Sequence, residues 1–496
     1  MIKQNNIFKT LCLVLLSIIL FTGCGKDSDE KEILSFKFAD IGVTGTINQS
    51  TRTILAVVPY GTDVTSLAPT IEISAKASVS PASGIPNNFT NPVVYTVTAE
   101  DGSKATYTVT VTVSGLDGEP EVLSGNIDTS TTWPDLGLSV DYVINGMLTI
   151  TSNALLTIEP GVTIMFSGTD GGIEVGEDAG LRMVGTANKP ISLVGPANNP
   201  NNGSWDRVLI HSNRDDNRFE YVRFLRGGSA TDKWNGVVNV RGKLSMKHCI
   251  IDGSLNSGLS TEYDGFLSEF EDNTINHCDL YPWITENFAT LCSDIKYNNT
   301  FVGNQRNSVY VGLSGFELND DVTLAALPIP YHLHDGFSFF GNKTLTIAEG
   351  ASFEMPFGTD ISVTDQCCFI AKGTAEKPIV FRSESAGTAW SGIIFSSTRS
   401  RNLMEYCQIM GCGDSNAWDD MCCLYIRSDA KLTLSNNSFG PSNFYGVGIE
   451  NIENFGNVQH SGNTFTGCAL GNVYIEGGGM YNGQEYNDFS TIPNLP

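Results

Sequence analysis

Between Ile33 and Val113, apolar and polar residues alternate with period two in short runs: ILSFKFA, TRTILAVVP, TIEISAKA, VVYTVTAEDGS and KATYTVTVTV. That period sends successive side chains to opposite faces, so each run predicts a strand with one buried face. Ala99-Glu-Asp-Gly-Ser103 supplies a hairpin turn between the last two runs. About seven such strands in roughly 80 residues predict an immunoglobulin-like β-sandwich over 33–114. Ser114–Pro120, rich in Gly, Asp and Pro, reads as a linker.

Beyond it the pattern changes to rungs of roughly 22–35 residues, the size of a solenoid repeat. A small or Asn residue followed two places later by a large apolar one marks each rung: Val222 and Phe224, Cys249 and Ile251, Asn273 and Ile275, Asn299 and Phe301, Cys407 and Ile409, Asn437 and Phe439, Asn463 and Phe465. In a parallel β-helix the coil turns sharply once per rung. An inward Asn at that turn can satisfy buried backbone groups of its own and adjacent rungs. Asn273, Asn299, Asn437 and Asn463 are therefore the expected structural ladder, with Cys or Val replacing Asn where the stack is apolar. A leucine-rich horseshoe is excluded, because its Leu-x-x-Leu-x-Leu consensus is absent.

The rungs are themselves duplicated. Gly185-Thr-Ala-Asn-Lys-Pro-Ile191 returns as Gly373-Thr-Ala-Glu-Lys-Pro-Ile379, Trp205 corresponds to Trp390, and Tyr221 to Tyr406. The expectation is an all-β chain: the sandwich, then a long β-helix of two copies (121–312 and 313–480) stacked in register, then a tail over 481–496.

These segments carry resemblances. YTVTAEDGSKATYTVTVTV resembles the N-terminal sandwich modules of bacterial surface lipoproteins, which implies a spacer or docking role. LTITSNALLTIEPGVTIMF, GTANKPISLVG and FEYVRFLRGG are similar to right-handed parallel β-helix repeat proteins of bacterial surfaces, with the pectin-lyase-like fold. That resemblance is specific for fold and not for chemistry, since the fold hosts lyases, hydrolases, adhesins and inactive proteins.

Lys3 and Lys9 precede an apolar run from Leu11 to Phe21, which reads as a signal peptide over 1–23. Phe21-Thr-Gly-Cys24 resembles a bacterial lipobox, although Phe21 stands where Leu is usual. The resemblance implies lipid attachment at Cys24, hence a membrane partner and an outer-membrane location. The charged tether at 24–32 resembles the export signals of surface-displayed lipoproteins. Charge points the same way: 29 Lys and Arg against 54 Asp and Glu give −25. Nucleic acid and polyuronates are poor partners for such a chain. Of twelve Cys, ten lie in the folded part. They read as buried small hydrophobes, with a bridge such as Cys407 to Cys412 left open.

Catalytic signatures are sparse. The Asn-Thr-Asp, Gly-x-Asp-Asp, Gly-His-Gly and Arg-x-Lys elements of pectin-type hydrolases do not form a set here: Asn273-Thr274 is followed by Ile275. The acidic pairs Asp215-Asp216, Asp320-Asp321 and Asp419-Asp420 fit solvated loops, so calcium has no specific support and no cofactor is expected. His332-x-His334 is expected in a surface loop. One feature stands out. Arg226-Gly-Gly-Ser-Ala-Thr-Asp-Lys-Trp234 and Met410-Gly-Cys-Gly-Asp-Ser-Asn-Ala-Trp418-Asp-Asp420 follow equivalent ladder positions, so both loops should leave the same edge of their copies. A Trp flanked by Asp and Asn suits stacking and hydrogen bonding of neutral sugars. Asp232, Trp234, Asp414, Trp418, Asp419 and Asp420 are thus the candidate ligand contacts, against the alternative that each Trp folds back on its own rung.

The chain is expected to be a lipid-anchored surface protein that binds glycan or another extracellular partner without catalysis. The alternatives are a polysaccharide lyase or glycoside hydrolase with an unrecognised site, and a structural stalk. Replacing the thiol in Cys24→Ser should move the protein from the membrane fraction to the soluble fraction on detergent-free fractionation. Retention in the membrane fraction would rule out a Cys24 lipid as the anchor.

Overall fold

The structure, a computed structural model, describes residues 27–59, 62–113, 119–229, 235–286, 288–292, 298–364, 366–415, 419–451, 457–478, 480–481, 484–485 and 488–492. The chain divides into two compact units, Met1–Gly115 and Leu116–Pro496. In the first, eight strands form two sheets. One places Ile33–Phe38 between Val43–Thr44 and Thr70–Ile73. The other runs Thr46–Asn48, Thr53–Val58, Lys104–Val113, Val93–Thr98, Ser78–Ser80. The period-two positions Phe36, Phe38, Ile54, Ala56, Tyr95, Tyr107 and Val109 turn inward to a shared core. The predicted hairpin closes with Thr98 opposite Lys104, and Gly102 takes a φ of 84° in its turn.

The second unit is a right-handed parallel β-helix of about 13 turns. Each turn contributes short strands to three faces. In the first half, face A holds Leu155–Ile158, Gly180–Val184, Arg218–Glu220, Lys243–Lys247 and Phe266–Glu271. Face B includes Thr163–Phe166, Ile191–Val194, Val222–Gly227 and Ile250–Ser254, and face C Gly172–Val175, Val208–Ile210, Gly236–Val240 and Ser257–Thr261. Like side chains stack inside: Phe353 lies 4.8 Å from Phe381 with rings 8° from parallel, and Phe166 lies 4.5 Å from Trp205. Apolar burial in such a stack is continuous from rung to rung, so no single turn needs a core of its own.

The expected ladder forms at the corner before face B. Cys249 N donates to Asn273 Oδ1 (2.9 Å), Asn273 N to Asn299 Oδ1 (2.9 Å), and Asn273 Nδ2 to Met246 O (2.9 Å). The second copy repeats the set: Cys407 N to Asn437 Oδ1 (2.8 Å), Asn437 N to Asn463 Oδ1 (3.0 Å), Asn437 Nδ2 to Met404 O (2.9 Å). Cys249 and Cys407 head the two ladders. The described cysteines are all free, Cys407 and Cys412 included; burial pushes the Cys249 thiol up to about 12. At another corner a second amide pair does the same work: Asn217 Oδ1 accepts from Leu181 N, and Asn402 Oδ1 from Phe369 N.

The duplicated heptapeptides are structurally equivalent. Gly185 N and Gly373 N each donate 2.8 Å to the carbonyl of Glu220 or Glu405 on the next rung. A Cβ on either glycine would sit 2.8 Å from the carbonyl oxygen of Tyr221 or Tyr406, so the close crossing of rungs requires glycine.

The expected register between the copies is not found. Face C of the first half continues through Trp283–Thr285 and Val309–Val311 into Tyr331–Leu333 and Ser352–Met355. Ser352–Met355 corresponds in sequence to Thr163–Phe166, a face B strand. The first half's face C therefore runs on as the second half's face B, and the copies are rotated by one face. The cause lies between them. Helix Phe288–Leu291 replaces a strand, its Phe288 packing against Phe316 (5.0 Å) and Phe337 (4.8 Å), and the next turns do not close a whole number of rungs before the repeat resumes.

The ladder makes a stability prediction. Asn437→Ala leaves the Cys407 N–H and the Met404 carbonyl buried without their amide partner, and should destabilise the second half by about 3 kcal/mol. Urea unfolding followed by amide hydrogen exchange in 400–465 measures this. A loss below about 0.5 kcal/mol, typical of surface substitutions, would deny the ladder its role.

Candidate functional site

The seam between the copies changes what the outer surface carries. In Trp283–Thr285, Val309–Val311 and Tyr331–Leu333 the first and third residues point inward, leaving the middle residue outside. Pairing aligns Ile284, Tyr310, His332, Glu354 and Arg382 in one row. Yet Ile284, Tyr310 and His332 are only 2%, 5% and 2% exposed, because Leu280, Tyr281 and Arg306 from the neighbouring turns flank them. Tyr281 lies 5.0 Å from Tyr310 and 5.8 Å from His332, and Tyr310 lies 4.9 Å from His334.

These rings line a pocket of about 300 Å³ with Arg306, Pro356 and Glu384. A second cavity of about 430 Å³ adjoins it, sharing Arg306, His332 and Glu384 and adding Glu354 and Arg382. Arg306 donates to the Tyr281 hydroxyl (3.3 Å), lies over its ring (5.8 Å), and pairs with Glu384 (3.6 Å). Glu354 pairs with Arg382 (2.7 Å). Burial, then the positive charges of His334 and Arg306, push the His332 imidazole down to about 4, so it is neutral near pH 7 and presents one donor and one acceptor. The site therefore couples an aromatic wall to two charge-balanced polar clusters.

The expected site residues fall elsewhere or outside the description. Cys24, Asp232, Trp234 and Trp418 lie outside the described residues. The bases of the two loops are equivalent: Trp205 Nε1 donates to Leu225 O (2.8 Å) and Trp390 Nε1 to Met410 O (2.9 Å). The strands that lead into them, Val222–Gly227 and Cys407–Met410, are each face B of their own copy, but the one-face rotation keeps these two strands from stacking in one row. Asp414, Asp419 and Asp420 do come together. Burial, and then the charges of Asp414, Asp419 and Asp360, raise the Asp420 carboxyl against a hydrogen bond from Ser415. Asp419 pairs with Arg427 (2.7 Å). Among the described residues, Asp414 Oδ1 is buried without a hydrogen-bond partner, and no group of three or more His, Cys, Asp or Glu could hold a metal ion. His332, expected in a surface loop, is a buried strand residue; only His334 reaches the surface.

Segments of both units are similar to known families. Residues 33–111 match the family described as SGBP, N-terminal, and residues 125–232 match the pectate-lyase like beta helix domain. Each match covers less than half of the chain and shows the likeness of that segment alone. The second match ends before Tyr281, so it does not reach the seam pocket. No curated protein matches the chain. Among solved structures, a candidate glycoside hydrolase from Bacteroides thetaiotaomicron VPI-5482 is 35% identical over 19% of this chain, with a TM-score of 0.17; the likeness spans 28% of that protein. A secreted protein from Bacteroides fragilis NCTC 9343 is 24% identical over 17% of this chain and 95% of its own, with a TM-score of 0.14. These likenesses are local.

Motif reading singled out His332-x-His334 but placed it in a surface loop, and the other seam residues belong to no motif. A signal was nonetheless present in Trp283-Ile-Thr285, Val309-Tyr-Val311 and Tyr331-His-Leu333, where the outward position is large in three strands and apolar or aromatic in place of the usual polar residue. Stacking them on one face required the rung count through the seam, which the sequence pattern does not supply.

The depressed His332 sets a pH dependence. Its folded value lies below the ordinary 6.5, so its contribution to stability is complete above about 6.5 and is lost as pH falls towards 4, where the unfolded chain binds the proton more readily. Histidine-resolved NMR should show one imidazole still neutral at pH 5. A His332 titration midpoint near 6.5 would contradict this.

Proposed function

We propose that this is a surface-displayed, non-catalytic glycan-binding protein whose β-helix holds sugar at the seam. One observation carries the reading: Tyr281, Tyr310, His332 and His334 form an aromatic wall beside a cavity edged by Arg306 and Glu384. Sugar rings offer C–H faces that stack on aromatic rings and hydroxyls that bond planar charged groups, and such pockets combine an apolar wall with a few fixed polar groups. The glycan-binding-like character of the SGBP N-terminal domain supports the same class of partner and an extracellular or surface location. Attachment by a lipid on Cys24 is part of the proposal and rests on residues 1–24 alone.

A hydrolytic reading has one observation in its favour, since Glu354 and Glu384 face the same polar cavity. Glycoside cleavage uses two such carboxylates, one of them protonated. Each glutamate here is instead engaged by an arginine, an arrangement suited to holding hydroxyls and not to donating a proton.

Arg306→Ala combined with His334→Ala should weaken binding of an array-selected glycan at least about tenfold, a loss of ~1.4 kcal/mol, measured by calorimetry. The unsubstituted protein should release no reducing or unsaturated ends from that glycan. Full binding by the double variant would remove the seam from consideration, and end-group release would establish the hydrolytic or lyase alternative.

A further inference from the structure

The turn after Ser352–Met355 links the seam pocket to the loop carrying Asp414. Pro356 forms part of the pocket wall. Phe357, the next residue, is 66% exposed, a costly placement for a phenyl ring that contributes nothing to the core. Its backbone is nevertheless pinned: Gly358 N donates to Ala389 O (3.3 Å), Thr359 Oγ1 to Pro356 O (2.8 Å), and Glu384 N to Met355 O (2.9 Å). Gly358 takes a φ of 72°, and a Cβ there would sit 3.4 Å from Asp414 Oδ2. In three consecutive residues the chain thus passes from the pocket wall, through an exposed ring, to the carboxylate of Asp414. Asp414, Asp419 and Asp360 lie close enough to act electrostatically on Asp420. Arg427 pairs with Asp419 and is a counter-ion of this group.

We infer that the seam site is extended, taking an uncharged oligosaccharide that runs from the aromatic pocket across Phe357 to the carboxylates of Asp414, Asp419 and Asp420. This rests on the glycan reading of the seam and adds to it a second binding region and a ligand class. Phe357 offers a flat apolar face to one pyranose ring. The carboxylates beyond it are acceptors suited to neighbouring hydroxyl groups. The same carboxylates, on a chain of net charge −25, repel a polyuronate. Neutral sugar units satisfy the ring and the acceptors together.

The test compares unsubstituted protein, Phe357→Ala and Arg306→Ala. The probes are neutral cello-, xylo- and manno-oligosaccharides, each as the disaccharide and the hexasaccharide, with hexagalacturonate as the anionic arm. Phe357 is exposed, so its removal leaves folding intact. For the neutral hexasaccharide that binds, Phe357→Ala should raise Kd about tenfold, as expected for a lost stacking contact. It should leave the disaccharide unchanged, and Phe357→Trp should restore hexasaccharide binding. Arg306→Ala should weaken both lengths, and hexagalacturonate should bind more weakly than the neutral chain. If Arg306→Ala loses binding while Phe357→Ala does not, the extension is wrong and the seam reading stands. Equal binding of hexagalacturonate overturns the ligand class. If the unsubstituted protein binds none of the probes, the extension and the seam reading fall together.

Discussion

A parallel β-helix must turn its backbone inward at every corner, and the amide groups there have no strand partner of their own. Their satisfaction is the condition on which the rest of the molecule depends. Asn273 with Asn299, and Asn437 with Asn463, meet it by bonding backbone across rungs while their own amides bond one another. Leaving such groups buried and unpaired would cost about 1–3 kcal/mol each. With the corners closed, apolar side chains can stack in continuous files, and a long rod needs no globular core. The ladder also fixes where each face B strand begins, which determines which side chains point outward.

Fold was more legible than site, for a physical reason. Period-two alternation, the rung marker and the repeated heptapeptide each report local backbone geometry, and local geometry recurs wherever the same residues recur. The sandwich strands, the ladder asparagines and the duplication marked by the heptapeptide could be read for that reason. Asn217 and Asn402 carry the same two-residue spacing, to Phe219 and Met404, and escaped notice because the marker recurs five residues on, at Val222 and Cys407, where the ladder was sought. The seam escaped because it is not a repeat. Its geometry depends on how many strands lie between the copies, and a four-residue helix at Phe288–Leu291 counts as one.

The one-face rotation explains how a duplicated body acquires a feature that neither copy contains. Had the copies stacked in register, face C strands would have followed face C strands and the outward rows would have repeated. Joining face C to face B instead brings Tyr310, from the end of one copy, beside His332, at the start of the next. Turns from both sides then close over the row, Tyr281 and Arg306 from the first copy, Pro356 and Glu384 from the second. The pocket is a product of mismatch.

That origin bears on stoichiometry. Gene duplication ordinarily multiplies sites, and a tandem rod with equivalent loops would be expected to hold two ligands side by side and gain avidity from the pair. A site assembled from the trailing end of one copy and the leading end of the other exists once per chain, whatever the number of repeats behind it. Avidity for a polymeric ligand would then have to come from many molecules displayed together on a surface and not from repetition within one.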